Sequence, residues 1–219
     1  MNTPLFAALD EETAGQLLES MDRIHLNRGE TVFHEGDPGD SLYIILSGKV
    51  KLGRSSADGR ESLLSVLGPG EMFGELSVFD PGPRLSSATA VSETELVSLG
   101  HTQLRAFLQE HPEVPMQMLS GLAHRLRRTN EDLSDLVFTD VPGRVAKALL
   151  DLSARFGTRT DKGVLVKHDL TQEELAQLVG ASRETVNKAL ADFASRGWIV
   201  LGAKQVTLID LERLRRRSR

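Results

Sequence analysis

The longest hydrophobic pattern in the chain lies in residues 112–138. Its repeated positions follow one another at alternating steps of four and three, and they are Pro115, Leu119, Leu122, Leu126, Thr129, Leu133 and Leu136. This heptad spacing predicts one long helix that pairs with another helix along these positions. The polar Thr129 allows two interpretations. It is either a residue that fixes the helix register or a contact to something polar bound between the two helices.

Before this helix, short apolar runs alternate with glycine-containing turns. The runs cover residues 31–34, 42–46, 50–53, 62–67, 86–91 and 95–99. Many short strands at regular spacing with glycine turns predict an all-β barrel or sandwich. Two short helices are predicted on either side of it, over residues 10–22 with Asp10 as the N-cap and over residues 101–110.

After residue 138 the pattern changes to short helices and strands. Residues 139–143 break the helical pattern and predict a hinge, and residues 144–156 predict a helix that ends at Gly157. Three further strands are predicted, over residues 164–167, 198–201 and 205–209. A loop containing glycine joins the last two strands, which is typical of a β-hairpin.

Residues 169–190 have the outline of a helix–turn–helix. Thr171 and Glu174 match the capping box that begins a helix, and Gly180 suits a turn that needs positive φ. Ser182 is a natural N-cap for the second helix. Any two helices joined by a turn would share these signals, so the outline alone leaves a plain structural domain open.

The exposed face of the second helix favours DNA binding. Its front carries the polar residues Arg183, Glu184, Asn187 and Lys188. The N-terminal residues of such a helix are the ones that reach base edges in the major groove. Arginine suits the acceptors of guanine, and glutamate suits the amino group of cytosine.

Charge is distributed unevenly along the chain. Residues 1–139 hold 11 Lys/Arg and 21 Asp/Glu, a net charge of -10, whereas residues 140–219 hold 15 and 10, a net charge of +5. This asymmetry indicates that only the second part meets a polyanion. The first residues lack a signal-peptide pattern, and no run of about 18 apolar residues exists, so we expect a cytoplasmic protein with no membrane contact.

Several kinds of chemistry are excluded or disfavoured by composition. The 219-residue chain contains no cysteine, which excludes disulfides, thiolate metal sites and cysteine nucleophiles. Its histidines are scattered without metal-ligand spacing, and no nucleophile–base pair is visible. We therefore expect neither an enzyme nor a metal site.

Residues 73–88 carry the most specific signal of the first half. Gly74 permits close backbone approach, and a short helical turn after it would present free N–H groups. Arg84 matches a phosphate bidentately, and Glu75 suits a sugar hydroxyl. From this chemistry alone, an internal salt bridge between Glu75 and Arg84 is an equally good interpretation.

The stretch from Gly74 to Ser87 resembles the phosphate cassette of cyclic-nucleotide-binding domains. The resemblance implies that Glu75 binds the ribose 2′-hydroxyl and that Arg84 binds the cyclic phosphate. Gly74, Leu76, Leu85 and Ser86 lie beside them. Leu85 departs from the usual Ser or Thr, so only its backbone N–H can serve the phosphate.

The long helix matches the same resemblance. In bacterial dimeric members an Arg lies near the phosphate, a Thr one turn later contacts adenine, and a polar neighbour reaches the nucleotide of the other subunit. Arg125, Thr129 and Asn130 have this spacing. Asn130 stands where the enterobacterial pattern has Ser. The polar position in the heptad pattern is thereby explained.

The second half resembles the recognition helix and wing of the Crp/Fnr regulators. By that resemblance Arg183, Glu184 and Lys188 read bases, and Lys188 stands where the enterobacterial pattern has Arg. The phosphate contacts fall on Thr171, Ser182 and Thr185. Across the chain, residues 138–147 and 170–193 look closest to actinobacterial cAMP receptor proteins.

The resemblance implies an α+β architecture in three parts. We expect a cyclic-nucleotide-binding β-roll, similar to a jelly roll, over residues 1–111, a dimerisation helix over 112–139 and a winged helix–turn–helix over 140–219. The implied function is a cAMP-responsive homodimeric transcription regulator, an activator or a repressor, that binds palindromic DNA and has RNA polymerase as a further partner.

Four alternatives remain at this point. The same fold can sense another small effector, or bind DNA largely independently of ligand. A regulatory subunit of the kinase type shares the cassette but needs no helix–turn–helix. Haem-sensing relatives share the fold, but the Glu75/Arg84 pair disfavours haem.

Overall fold

The computed structural model describes residues 5–6, 9–56, 59 and 61–218. The chain divides into two compact units. The first comprises Met1–Arg54 with Leu64–Arg128, and the second comprises Ser55–Leu63 with Thr129–Arg219. None of the described helices is both long and apolar enough to cross a bilayer.

Two antiparallel β-sheets form most of the first unit. Their strands are β1 (Asp22–Leu26), β2 (Thr31–Phe33), β3 (Ser41–Ser47), β4 (Val50–Ser55), β5 (Glu61–Leu67), β6 (Met72–Phe73), β7 (Ser87–Ala90) and β8 (Thr94–Gly100). Within the described residues, one sheet has the order β1-β8-β3-β6 and the other β2-β7-β4-β5. The predicted β architecture is confirmed, with β1 and β6 as strands that the sequence pattern missed.

The alternation of side chains along β3 serves both halves of the core. Leu42 and Ile44 point into a cluster that also contains Val97 and Leu99. Ile45 belongs to a second cluster built around aromatic residues. Successive side chains of a strand point to opposite faces, so one central strand can fill two cores.

The helices of the first unit are α1 (Glu11–Ser20), α2 (Leu76–Phe79), α3 (His101–Glu110) and α4 (Val114–Phe138), and α4 continues into the second unit. Asp10 caps α1 as predicted, because its Oδ1 accepts from the backbone N–H of Thr13 at 2.8 Å. The long helix begins at Val114 rather than at residue 112. Val114 and Met118 are buried in the first core cluster and anchor its start.

Most heptad positions of α4 face outward, whereas Pro115 and Leu122 are half-buried. Leu119, Leu126, Leu133 and Leu136 are between 52% and 62% exposed. Large apolar side chains spaced as a heptad normally pack against another helix. In the single chain, these leucine side chains therefore form an apolar stripe that is accessible to a second helix.

The second unit contains a helix–turn–helix with a small sheet. Its elements are α5 (Val141–Phe156), β9 (Gly157–Thr160), β10 (Gly163–Lys167), α6 (Gln172–Val179), α7 (Arg183–Ser195), β11 (Ile199–Gly202), β12 (Gln205–Leu208) and α8 (Leu211–Arg217). The strands order as β11-β12-β10-β9. Gly180 has a φ of +69° and connects α6 to α7, as the sequence predicted.

The break between the long helix and α5 is shorter than expected. The sequence predicted a hinge over residues 139–143, whereas Pro142 and Gly143 lie in the first turn of α5. Asp140 caps that helix by accepting from the backbone N–H of Gly143 at 3.0 Å. Proline is tolerated in the first helical turn, so its presence marks a helix start here.

The end of α5 agrees with the sequence prediction, whereas α8 is an element that the sequence did not predict. Gly157 ends α5 in an extended conformation, with a φ of -78°, and begins β9 directly. The basic end of the chain forms α8, which the sequence pattern missed because Leu211 and Leu214 are its only apolar residues. Leu214 is fully buried and holds this helix on the unit.

Candidate functional site

Gly74 allows the backbone of the cassette to approach Arg84. It follows β6 and has a φ of +78°, a region that side chains with a Cβ rarely adopt. A Cβ at this position would lie 2.8 Å from Nη1 of Arg84. Both observations explain why glycine stands at this position, next to the side chain of Arg84.

The guanidinium of Arg84 is buried, with 3% of the residue exposed. Its Nη1 donates to the carbonyl of Gly74 and its Nη2 to the carbonyl of Ser41, both at 2.8 Å. The Cζ atom lies 4.3 Å from the centroid of the Phe33 ring, which is cation–π geometry. Its Nε is buried without a hydrogen-bond partner among the residues that the structure describes.

Glu75 pairs with the long helix rather than with Arg84. The residue is 1% exposed, and its Oε1 accepts from Nη1 of Arg125 at 2.5 Å. Nη2 of Arg125 donates to the carbonyl of Met72 at 2.6 Å. The other carboxylate oxygen, Oε2, is buried and has no partner within the described part of the chain.

Of the two interpretations left open by the sequence, the internal Glu75–Arg84 salt bridge is wrong. Arg84 is held by carbonyl groups, which leaves its positive charge without a carboxylate partner among the described residues. A buried charge normally requires a partner of opposite charge. The cassette therefore contains the positive charge of Arg84, which has no carboxylate partner among the described residues, close to the carboxylate of Glu75, which is already paired with Arg125.

The loop between β2 and β3 supports the cassette, a feature that sequence reasoning missed. The backbone N–H of Arg84 donates to the carbonyl of Asp37 at 2.8 Å, and the N–H of Gly36 donates to the carbonyl of Arg84 at 2.8 Å. A Cβ on Gly39 would lie 2.3 Å from Cβ of Ser77 and 3.2 Å from Cδ of Arg84. The repeated glycines of this loop were the available signal.

The remaining predicted ligand residues differ in exposure. Leu76 is the first residue of α2 and is 47% exposed, and Leu85 is 60% exposed. Ser86 is half-buried, and Thr129 and Asn130 are exposed on α4 one turn after Arg125. The structure thus joins the predicted residues in two hydrogen-bonded pairs, Arg84 with Gly74 and Arg125 with Glu75.

The predicted DNA face is built on two capped helices. Oγ1 of Thr171 accepts from the backbone N–H of Glu174 at 3.1 Å, and Oγ of Ser182 accepts from that of Thr185 at 3.2 Å. A hydroxyl that accepts from a backbone N–H keeps its own hydrogen for donation. Thr171, Ser182 and Thr185 are exposed. The hydroxyl groups of Ser182 and Thr185 lie 2.9 Å apart and one donates to the other, so this pair keeps one hydroxyl hydrogen for a phosphate.

The residues predicted to read bases lie exposed along α7. Arg183, Glu184 and Lys188 are all exposed, and Nζ of Lys188 is 2.7 Å from Oε1 of Glu184. Ion pairs of this kind on a helix surface are weak, so the pair can be exchanged for contacts to DNA. Asn187 differs from expectation because it is half-buried and bonded to another side chain.

The comparisons with known proteins identify a domain family for each half of the chain. Residues 23–111 match the family described as "Cyclic nucleotide-binding domain", and residues 143–217 match the "Crp-like helix-turn-helix domain". The chain is 58% identical over 215 residues to the "CRP-like cAMP-activated global transcriptional regulator" of Mycobacterium tuberculosis. These matched residues make up 98% of this chain and 96% of that protein. The chain belongs to the Crp/Fnr family of transcription regulators.

Two further relatives extend the comparison. The "Cyclic AMP receptor protein" of Thermus thermophilus is 40% identical over 200 residues, 91% of this chain and 89% of that protein. The structure of FixK2 from Bradyrhizobium japonicum superimposes with a TM-score of 0.81 at 21% identity, over 91% of this chain and 98% of that one, and supports the fold. This Crp/Fnr regulator is therefore a DNA-binding transcription regulator and not an enzyme.

In this Crp/Fnr regulator, charged side chains hold the break that precedes α5. Arg144 donates to the carbonyl of Thr139 at 2.8 Å and to the carbonyl of Val179 at 3.0 Å. Nη2 of Arg217 donates to Oδ2 of Asp140 at 2.6 Å, and this bond holds the pKa of the Asp140 carboxyl below its usual value. The end of α4, the turn of the helix–turn–helix and the C-terminal helix are thus linked through α5.

Proposed function

We propose that this regulator binds cAMP in the cassette and that the bound nucleotide controls its affinity for palindromic DNA. The observation that carries the ligand assignment is the pair of unsatisfied buried atoms, Nε of Arg84 and Oε2 of Glu75. Buried polar atoms are nearly always hydrogen-bonded, so two on one loop indicate a ligand. The Mycobacterium tuberculosis and Thermus thermophilus relatives are described as cAMP-activated and as a cyclic AMP receptor, respectively.

The charges of the cassette fit the two polar parts of a cyclic nucleotide. Arg84 lacks a carboxylate partner among the described residues and attracts the phosphate, with the backbone N–H groups of Leu76, Leu85 and Ser86 as further donors. Glu75 accepts from the ribose 2′-hydroxyl through Oε2, because Arg125 already occupies Oε1. Gly74 leaves room for this arrangement.

The proposed contacts to adenine and to the second subunit come from the long helix. Thr129 serves the exocyclic amine of adenine, and Asn130 of one protomer reaches the nucleotide of its partner. Four of the five heptad leucines, Leu119, Leu126, Leu133 and Leu136, are more than half exposed in the single chain, which supports a parallel homodimer with two-fold symmetry. The three domains then span residues 1–111, 112–139 and 140–219.

A two-fold dimer requires a palindromic operator with half-sites about 34 Å apart. In each half-site Arg183, Glu184 and Lys188 read base edges, whereas Thr171, Ser182 and Thr185 contact phosphates. Half-sites similar to TGTGA are expected. RNA polymerase is the further partner in the cytoplasm, and the outcome at each promoter is activation or repression.

Operator binding with and without cAMP tests this function. The affinity of the wild-type protein for a labelled operator should rise on addition of cAMP, and Arg84→Leu should require far more cAMP for the same rise. A hydrogen bond to a charged group contributes about 1.5–3 kcal/mol, so the loss is roughly 10–150-fold. Arg23→Leu is the control, because Arg23 pairs with Glu95 on the surface of the same unit. Equal cAMP dependence in all three proteins would refute the site.

A further inference from the structure

A side-chain amide pair links the two helices of the DNA-binding motif. Nδ2 of Asn187, in the middle of α7, donates to Oε1 of Gln172, the first residue of α6, at 3.2 Å. Asn187 is half-buried, and its Oδ1 is enclosed without a partner among the residues described. The sequence indicated an Asn187 that projects freely with the base-reading residues, and the structure shows it engaged.

The position of this pair connects the two kinds of DNA contact. Asn187 lies one turn beyond Arg183 and Glu184 and directly before Lys188, the residues that read bases under the proposed function. Gln172 is exposed and follows Thr171, the cap of α6, which contacts a phosphate under the same proposed function. The hydrogen bond between the two side-chain amides therefore joins the residues of α7 that are proposed to read bases to the N-terminus of α6.

The hydrogen bond from Asn187 determines how the side-chain amide of Gln172 is oriented. A glutamine amide has an acceptor end and a donor end. Because Oε1 of Gln172 accepts from Asn187, the two N–H groups on Nε2 of Gln172 turn away from Asn187. N–H donors suit an anion, and the N-terminus of α6 adds backbone N–H groups and a favourable dipole at the same place.

We propose that Asn187 is a positioning residue that acts through Gln172. It holds the Gln172 side chain so that Nε2 donates to a phosphate of the operator while the base-reading residues of α7 lie in the major groove. This inference rests on the proposed function, since it assumes that α7 enters the major groove. It assigns Asn187 to the alignment of the protein on the DNA backbone rather than to base recognition.

The variant Gln172→Glu separates this role from a structural one. The carboxylate still accepts from Asn187, and a negative charge in the first turn of α6 favours the helix, so the thermal unfolding temperature should not fall. The carboxylate repels a phosphate, so affinity should fall about tenfold for the operator and for a random duplex alike. Ser195→Glu is the control, because it adds the same charge at the far end of α7, on an exposed residue.

A double-mutant cycle tests the dependence of Asn187 on Gln172. Asn187→Ala alone should weaken binding to both duplexes by a similar factor of a few. In the Gln172→Ala background the same change should add little, because the positioned group is already gone. Equal effects of Asn187→Ala in the two backgrounds would overturn the proposal, as would unchanged affinity of Gln172→Glu.

The same duplexes distinguish failure of this inference from failure of the proposed function. Arg183→Ala should lose preference for the operator over the random duplex. If it does and Gln172→Glu binds as wild type, the inference fails and the function stands. If Asn187→Ala weakens only operator binding, Asn187 reads a base and the positioning role is wrong. If Arg183→Ala binds both duplexes as wild type, the assignment of α7 to the groove fails, and the inference fails with it.

Discussion

Nη1 of Arg125 donates to Oε1 of the buried Glu75 at 2.5 Å. These residues are separated by 50 positions in the sequence, and their bond joins the long helix to the loop that follows β6. It also fixes which oxygen of Glu75 remains for a ligand. Because Oε1 is occupied by Arg125, Oε2 is the atom proposed to accept from the ribose.

The first prediction concerns that ribose contact. Wild-type protein should bind cAMP more tightly than 2′-deoxy-cAMP by roughly 10–150-fold, the range for a hydrogen bond to a charged group. Glu75→Gln removes the charge, so the ratio should fall to about 2–10-fold. Calorimetric titration with both nucleotides measures it. An unchanged ratio in the variant means that Glu75 does not hold the ribose.

The second prediction concerns assembly. Leu126→Glu places like charges on both sides of the proposed helix pair and should give monomers in sedimentation velocity experiments. Arg127→Glu is the matched control, since this exposed neighbour lies outside the heptad positions and the variant should remain dimeric. A dimeric Leu126→Glu protein would place the interface elsewhere.

The third prediction concerns the ion pair between Arg217 and Asp140. The hydrogen bond from Arg217 holds the pKa of the Asp140 carboxyl below its usual value of 3.8. A depressed pKa in the folded state contributes stability above the ordinary pKa, and this contribution is lost as the pH falls through the lowered value. Arg217→Gln should therefore lower the free energy of unfolding at pH 7 and lower it progressively less as the pH falls below about 3.8.

Denaturant unfolding of wild type and variant across this pH range provides the measurement. Arg216→Gln is the control, because Arg216 is exposed and pairs only weakly with Glu212 at 3.8 Å. A difference between wild type and Arg217→Gln that is constant from pH 7 into the acid range would show that the effect of Arg217 does not depend on the charge of Asp140.

The fourth prediction concerns base readout. Arg183→Ala should cost about 1–3 kcal/mol at the operator and relax the preference at one base pair. Thr185→Ala removes a proposed phosphate contact and should weaken all sequences alike. Binding to operators substituted at each position, measured by fluorescence anisotropy, compares the two. Equal losses of Arg183→Ala on operator and random duplex would make Arg183 a positioning residue.

Local chemistry explains which elements the sequence predicted. The capping box of Thr171 and Glu174 and the positive φ of Gly180 depend on near neighbours, and the structure confirms both. The strand β1 was missed because it has only two apolar residues, Ile24 and Leu26. Its extended form is stabilised by pairing with β8, more than 60 residues away.

In the candidate site, too, local sequence predicted some features, whereas tertiary packing determined the others. The cassette residues could be located from their sequence, but not their partners. The contacts of Arg84 with the Ser41 carbonyl and of Glu75 with Arg125 depend on tertiary packing. The Asn187–Gln172 pair spans two helices, so a helical pattern that places Asn187 on an exposed face cannot reveal it.

The central claim is that one protein binds cAMP in its cassette and DNA through α7, and that the two sites are coupled. Linkage requires each ligand to change the affinity for the other by the same factor, typically about 5–150-fold. Calorimetric titration of cAMP into the free protein and into its operator complex measures this factor directly. The account predicts a lower Kd for cAMP in the complex, by the factor with which cAMP strengthens operator binding. An identical Kd in both titrations, or no cAMP binding in either, would contradict it.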